Sequence, residues 1–349
     1  MKKYKKFISF IIAGLLLASC KHGNSTQGQN ASHKDSVAHA TDTITPAINQ
    51  YSKRIAANPN NPDNYWRRGI LEAALKKYDV ALQDYHRAIK LDSTKADYYY
   101  SLADADFYAG HTRNSKNDFE KCISLDPKNT DAQLRLAELY FYVKKYDDAF
   151  KLINKALTIN PHLARAYFMK GMIYLENKDT AKAISSIQTT VEQDSKYYDA
   201  YIELGLIFSH KGNPIALDYF NDAININAGD IEPYYDKGMF YQTTGDYDNA
   251  IKAYNELLQV KPGYKFAYYN LGVIYYLHNK DYQQSIENFS KAIRADSAYS
   301  LAYYGRGNSY EQLGQNTKAL ADFSAAVHYG PGFSAAEDAF KELQGEMYK

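Results

Sequence analysis

The side chains that could do chemistry in this 349-residue chain are nine His, two Cys and 40 Asp and Glu. Their spacing argues against a catalytic or metal centre. No His-Glu-x-x-His run occurs, and no Cys or Cys/His pair stands at metal-ligand spacing, so no metal is expected. No phosphate-cradling glycine loop occurs, since Gly305-Arg306-Gly307 reads as a repeat glycine inside a helix, and no Ser sits in a Gly-x-Ser-x-Gly elbow. Most carboxylates fall in first turns or on wet helix faces, where they favour the helix dipole. Cys122 takes a place held in related segments by Ala88, Ala156, Ala223, Ala292 and Ala326, and so reads as a buried small residue. Neither a catalytic residue nor a cofactor is expected. One polar group stands out: Arg68 and Glu72 form an i, i+4 pair, with Asp106 at the place equivalent to Glu72 one period later.

The chemistry with a clear signal lies at the amino terminus. Lys2, Lys3, Lys5 and Lys6 precede an apolar run, Phe7 to Leu17, too short to span a bilayer but fitting the core of a secretory signal. It closes on Leu17-Ala18-Ser19-Cys20, which resembles the bacterial lipobox. The resemblance implies a signal peptide over 1–19 and acylation of Cys20, with palmitate among the chains. Two or more acyl chains, at about 0.8 kcal/mol per buried methylene, give a stable membrane anchor. Cleavage would remove four Lys and no acid, turning the net charge from +1 to −3. Nothing then attracts nucleic acid, whose binding needs a basic face. Residues 20–43 are rich in Ser, Thr, Asn, Gln and His, and read as a flexible polar tether. Within it Asp35-Ser36-Val37 and Asp42-Thr43-Ile44 resemble bacterial O-glycosylation sites.

The elements that must position everything else come from a periodicity. Small residues recur at Gly69, Ala103, Ala137, Gly171, Gly205, Gly238, Gly272 and Gly307, at intervals of 33 to 35. A second small series runs Ala81, Ser115, Ala149, Ala183, Ala216, Ala250, Ser285 and Ala319. Four residues after each comes a large apolar one: Tyr85, Phe119, Ile153, Ile187, Phe220, Tyr254, Phe289, Phe323. Three ladders in one register predict helical hairpins in which small residues let two helices approach and a large one fills the space beside them. Gly110, Gly212, Gly245 and Gly314 mark turns within hairpins, and Pro127, Pro161, Pro262 and Pro331 mark the ends of second helices. One hairpin cannot bury its apolar face alone, so the units must stack.

Gly238 with Tyr241, Gly245, Tyr247, Ala250, Tyr254 and Pro262 resembles the tetratricopeptide repeat, as does Gly272-Val273-Ile274-Tyr275-Tyr276 with Ser285, Phe289 and Ala292. The resemblance covers residues 62–333 as eight units. It implies an all-α, right-handed α-solenoid of stacked helix-turn-helix repeats. A half-repeat helix over 44–61, starting at Thr45-Pro46, and a capping helix over 334–349 would close the ends.

The resemblance also implies that first helices line an inner groove. Transferred place by place, that wall would present Trp66 in the first repeat, Tyr100, Phe107 and Tyr108 in the second, and Leu134, Phe141 and Tyr142 in the third. Phe168 and Met172 follow in the fourth, Ile202 and Leu206 in the fifth, and Tyr235 and Met239 in the sixth. Tyr269, Val273 and Tyr276 in the seventh and Tyr304 in the eighth complete it. Acids at Asp97, Asp104, Asp131, Glu138, Asp199 and Glu203 would rim it. Family members that clamp acidic chaperone tails use Lys and Asn at set places, two of which here hold Trp66 and Ile70, so that ligand class is not expected.

What the sequence supports is a non-enzymatic scaffold that binds proteins or peptides of the cell envelope and reaches the membrane through its lipid. Lys21 lacks the acidic character that retains some lipoproteins at the inner membrane, which points to the outer one. A surface receptor for peptides or glycans is the alternative, because a Tyr-rich wall, with 35 Tyr in the chain, also suits sugar stacking.

Overall fold

The computed structural model describes residues 32–347, with side chains from residue 44 onward; the signal segment and Cys20 lie outside the described residues. Among the described residues every regular element is a helix. The chain divides into two compact units, one ending at Tyr197 and the other beginning at Tyr198, a junction that falls between repeats.

The N-terminal unit opens with α1, Ser32–Ala57. Four hairpins follow: α2 and α3 (Pro62–Ala74, Tyr78–Leu91), α4 and α5 (Ala96–Tyr108, Thr112–Leu125), α6 and α7 (Thr130–Tyr142, Tyr146–Ile159), α8 and α9 (Ala164–Glu176, Thr180–Gln193). The C-terminal unit holds α10 and α11 (Tyr198–His210, Ile215–Ile226), α12 and α13 (Glu232–Thr244, Tyr247–Val260), α14 and α15 (Lys265–Ile274, Tyr282–Ala295), α16 and α17 (Ser300–Gln312, Asn316–Tyr329), and a last helix α18, Ser334–Met347. Polar caps begin several of these helices. Asn129 accepts from the Ala132 amide, and Asp179, Asp246 and Asp281 each accept from the amide three residues on. Pro127, Pro161, Pro262 and Pro331 each stand two residues beyond a second helix.

The amino-terminal helix differs from expectation. It does not begin at Thr45-Pro46; it runs from Ser32, with Pro46 inside it, and takes in the second half of the stretch expected to be a flexible tether. A proline in a helix interior removes one hydrogen bond and usually costs about 3 kcal/mol, which is why it read as a start. Residues 32–45 contain no other Pro and no Gly, and include Ala38 and Ala40, so the segment is otherwise free of helix breakers. At the other end α18 buries Ala336 and Leu343 against the last hairpin.

The three ladders meet in space. A methyl group placed on Gly69, Gly205 or Gly238 would sit 2.6, 2.4 or 2.5 Å from the ring of Tyr85, Phe220 or Tyr254. The same holds for Gly171 against Ile187 at 2.4 Å and Gly307 against Phe323 at 2.7 Å. These large side chains are wholly buried or nearly so. Where the second small series carries a hydroxyl, it is used. Ser115 donates to the Ala103 carbonyl at 2.7 Å, and Ser285 to that of Gly272 at 2.9 Å.

The turns inside the hairpins share one backbone device. The residue two places after each first helix, or its equivalent, adopts the left-handed conformation: Gly110, Gly212, Gly245 and Gly314, but also Lys76, Lys144, Lys178 and Lys280, with φ between 54° and 60°. The seventh repeat has one extra residue between its ladders, Gly272 to Ser285, and absorbs it as a π-turn over Tyr275–Asn279.

Replacing Gly205 by Ile should therefore cost about 1–3 kcal/mol through overpacking against Phe220. Because contacts in such arrays are between neighbours, hydrogen exchange should rise first in α10 to α13. A uniform rise over the whole chain would contradict that locality.

Candidate functional site

In the N-terminal unit aromatic residues at the ends of first helices and the starts of second helices meet from repeat to repeat. Tyr78 and Tyr108 stack with centroids 5.6 Å apart and planes at 13°. Tyr108 meets Phe107 edge-on at 5.5 Å, Phe107 meets Tyr142 at 6.2 Å, and Phe141 lies 6.0 Å from Tyr142 and 5.9 Å from Tyr146. This row crosses three repeats, and two of its rings stand open: Tyr108 is 52% exposed and Tyr142 63%. Val80 and Val143 are exposed beside them, together with Lys76, Lys77, Lys144 and Lys145.

Arg135 on α6 fastens the row. Its guanidinium pairs with Asp104 at 2.8 Å and Glu138 at 3.2 Å, donates to the Tyr108 hydroxyl at 2.9 Å, and lies 5.7 Å from the Phe107 ring centre and 5.4 Å from that of Tyr108. Arg165 on α8 adds a contact to Glu138. Asp104 and Glu138, expected as a free acidic rim, are thus spent within the unit. The sequence reading missed this network because Asp104, Arg135 and Arg165 lie about thirty residues apart. The available signal was an arginine on the inner row one repeat after an acid.

The remaining wall positions divide by burial. Trp66, Tyr100, Phe107, Phe141, Phe168 and Met172 are half-buried in this unit. Trp66 donates its indole N–H to Ser101 at 2.9 Å and lies 5.6 Å from Tyr98, while Phe168 packs on Tyr197 at 5.0 Å. Leu134 is buried in the core. In the C-terminal unit Leu206, Tyr235 and Met239 are half-buried, whereas Ile202, Tyr269, Val273, Tyr276 and Tyr304 are buried and do not present a surface. Neighbouring elements cover them: Tyr269 packs on Phe289 and Tyr299, Tyr276 on Tyr282, and Tyr304 on Phe323 and Phe333.

The polar departure resolves differently from the expected Arg68–Glu72 pair. Arg68 makes a two-pronged contact with Asp84, at 2.8 and 2.7 Å, and donates to Ser52 of α1 at 3.1 Å. Glu72 lies 3.6 Å from Lys77 instead. The last repeat repeats the arrangement: Arg306 grips Asp322 at 2.7 and 2.8 Å and reaches Ser290 at 3.0 Å. A planar fork matches a carboxylate better than an i, i+4 partner on the same helix can. Asp106 is buried and takes a 2.9 Å contact from His111. Cys122 is buried and free, and burial pushes its thiol up to about 12, so it is inert as a nucleophile. Among the described residues no cluster of His, Cys, Asp or Glu is placed to hold a metal ion, and no helix is long and apolar enough to cross a membrane.

The hairpins, their ladders and their turns match a described family. Tetratricopeptide-repeat descriptions fit residues 100–164, 235–300 and 276–339, and a second one fits residues 152–185. This is a tetratricopeptide-repeat protein. Repeats of this kind are generally protein-interaction scaffolds rather than catalysts. A human relative, tetratricopeptide repeat protein 6, is 29% identical over 100 residues, which span 28% of this chain and 19% of the human one. The solved C-terminal part of a tetratricopeptide-repeat protein from Cytophaga hutchinsonii superposes with a TM-score of 0.61 at 21% identity, covering 69% of this chain and 98% of that one. Pseudomonas aeruginosa pilF gives 0.51 at 16% identity, over 58% of this chain and 93% of that one. Both likenesses are of fold.

Asp118 of the second repeat stands where Asp84 and Asp322 do, but its arginine counterpart is Leu102. Burial, and then the charge of Asp106, push its carboxyl up to about 6. The folded chain therefore keeps a proton that the unfolded chain releases above pH 4, so stability falls as pH rises from about 4 to about 6. Asp118→Asn should raise the melting temperature at pH 7 and leave it nearly unchanged at pH 3.5. Melting curves at both values check this; an equal shift at both would remove the titration as the cause.

Proposed function

We propose that this protein is a lipid-anchored scaffold of a bacterial envelope that holds protein partners on the ring row of its N-terminal unit. One observation carries the docking part. Tyr108 and Tyr142 stand half to two-thirds open, yet belong to a row of packed rings braced by Arg135. Exposed apolar area on a rigid frame is what partners bury, and aromatic anchors dominate such interfaces. Exposed lysines beside the row favour partner segments that carry acids. The anchor rests on Leu17-Ala18-Ser19-Cys20, and Lys21 favours the outer membrane as its destination.

Two experiments test the halves separately. Cys20→Ala should abolish acylation and move the protein out of salt-washed membranes; a variant that stays bound rejects the lipid anchor. For the face, Tyr108→Ala combined with Tyr142→Ala should shift stability by only about 0.5 kcal/mol for each exposed side chain. Phe220→Ala in the core should cost roughly 3–5 kcal/mol. In-cell crosslinking with mass spectrometry should then lose its captured partners in the double variant. A double variant that melts normally and still captures every partner places the docking face elsewhere.

A further inference from the structure

Asp236 sits on α12 at the place held by Arg67, Ser101 and Arg135 in earlier repeats, on the row next to Tyr235 and Met239. In the N-terminal unit Arg135 brings its own carboxylate partners. Asp236 has no such counterpart. Its Oδ2 is shut off from solvent and accepts no hydrogen bond, and no ion pair among the described residues reaches it. Lys237, next in sequence, is turned to Glu256 at 3.3 Å. A buried carboxylate oxygen without a donor is costly.

The surroundings add negative field and aromatic rings rather than a cation. Asp230 and Glu232 act on Asp236 through their charges. Tyr254 on α13 and Tyr264, just before α14, feel the Asp236 charge, as does Tyr235 beside it. The rings are fixed. Tyr235 meets Tyr264 edge-on at 5.9 Å and Tyr254 at 6.0 Å, while Asn270 donates to the Tyr235 and Tyr254 hydroxyls at 3.3 and 3.0 Å. Frame, carboxylate and neighbouring acids together suit a positive group that brings its own N–H donors. With no metal-type cluster among the described residues, that group is organic.

We propose that Asp236, framed by Tyr235 and Tyr264, is a subsite for the guanidinium or ammonium of an Arg or Lys side chain in a partner segment. The subsite rests on the reading that these repeats dock protein segments, and it adds a partner chemistry to the C-terminal unit. The entering cation gives the stranded oxygen a charge-assisted hydrogen bond and lies against ring faces that attract it. At neutral pH a proton holds this place, because burial first, then Glu232 and Asp230, push Asp236 up to about 8. The cation displaces that proton, so binding tightens as pH rises from 6 to 8.

The probes are acetylated, amidated tetra-arginine, tetra-lysine and tetra-glutamate peptides, titrated calorimetrically into the full mature chain. Tetra-arginine and tetra-lysine should bind and tetra-glutamate should not. Asp236→Asn should weaken the basic peptides about tenfold and abolish the pH dependence, whereas Asp147→Asn, which removes the same charge from an exposed helix, should leave them unchanged. Equal losses in the two variants, or none in either, overturn the subsite in favour of diffuse charge attraction. Should Asp236→Asn melt below the wild type, the decisive reading is the Asp236 carboxyl resonance of the wild type. It must titrate at lower pH when tetra-arginine is present, and an unmoved titration overturns the proposal. Partners still captured in cells but insensitive to Asp236→Asn sink the subsite alone. Absence of any capture by the wild type sinks the docking reading from which it starts.

Discussion

The contact on which the rest depends is an absent or minimal side chain opposite a large one. In each repeat a Gly or Ala of the first helix faces a ring or branched side chain of the second, and any added carbon at Gly171 or Gly205 would meet its partner at 2.4 Å. Close approach of the two helices follows, as does burial of Phe119, Ile153, Ile187, Phe220 and Phe289. Around these glycines, packing at that density accommodates no extra carbon without a shift, and a lost one leaves a cavity. The first helices are consequently held rigidly from two sides, and whatever side chains they carry on the remaining face are presented in fixed positions.

That division of labour explains which parts were legible in the sequence. The ladder residues recur because every repeat needs the same small-against-large contact, so their spacing states the fold directly. The turns were half legible. Gly110, Gly212, Gly245 and Gly314 announce the left-handed residue, but Lys76, Lys144, Lys178 and Lys280 do the same job without the compositional signal. A lysine there carries a modest backbone strain that the flanking helices impose. The site was less legible still. Burial of Tyr269, Tyr276 and Tyr304 depends on what the neighbouring helices carry, and one wall position looks like another in a single sequence.

Charged residues show the same limit from another side. Ser52, Arg68 and Asp84 stand at i, i+16 and i+32, and so do Ser290, Arg306 and Asp322. Spacing near half a repeat joins a second helix, the following first helix and its own second helix into one stitch. Read locally, Arg68 pairs with Glu72; read at the period of the hairpin, its partner is Asp84.

The stitch also shows what a repeat can omit. Between the two arginines the equivalent places hold Leu102, Leu136, Lys170, Leu204, Lys237 and Leu271. A leucine there packs apolar area between two covering neighbours and needs no partner, which the interior of an array supplies. At the first and last hairpins one neighbour is a single helix, α1 or α18, and the Arg68 and Arg306 side chains remain 25% and 20% exposed. An arginine can extend its stem along the apolar surface, keep part of its head in water and grip a buried aspartate. Asp118 is the exception that tests the logic, since it retains the acid where the arginine has become Leu102, and its carboxyl is driven toward the neutral form. The same physics applies to Asp236, a carboxyl group on a packed helix that finds no basic partner, whereas Arg135 at the equivalent place finds acidic ones. In a scaffold whose repeats are held by apolar ladders, such unpaired carboxyl groups are not needed for folding and are the places where a partner's charge has the most to contribute.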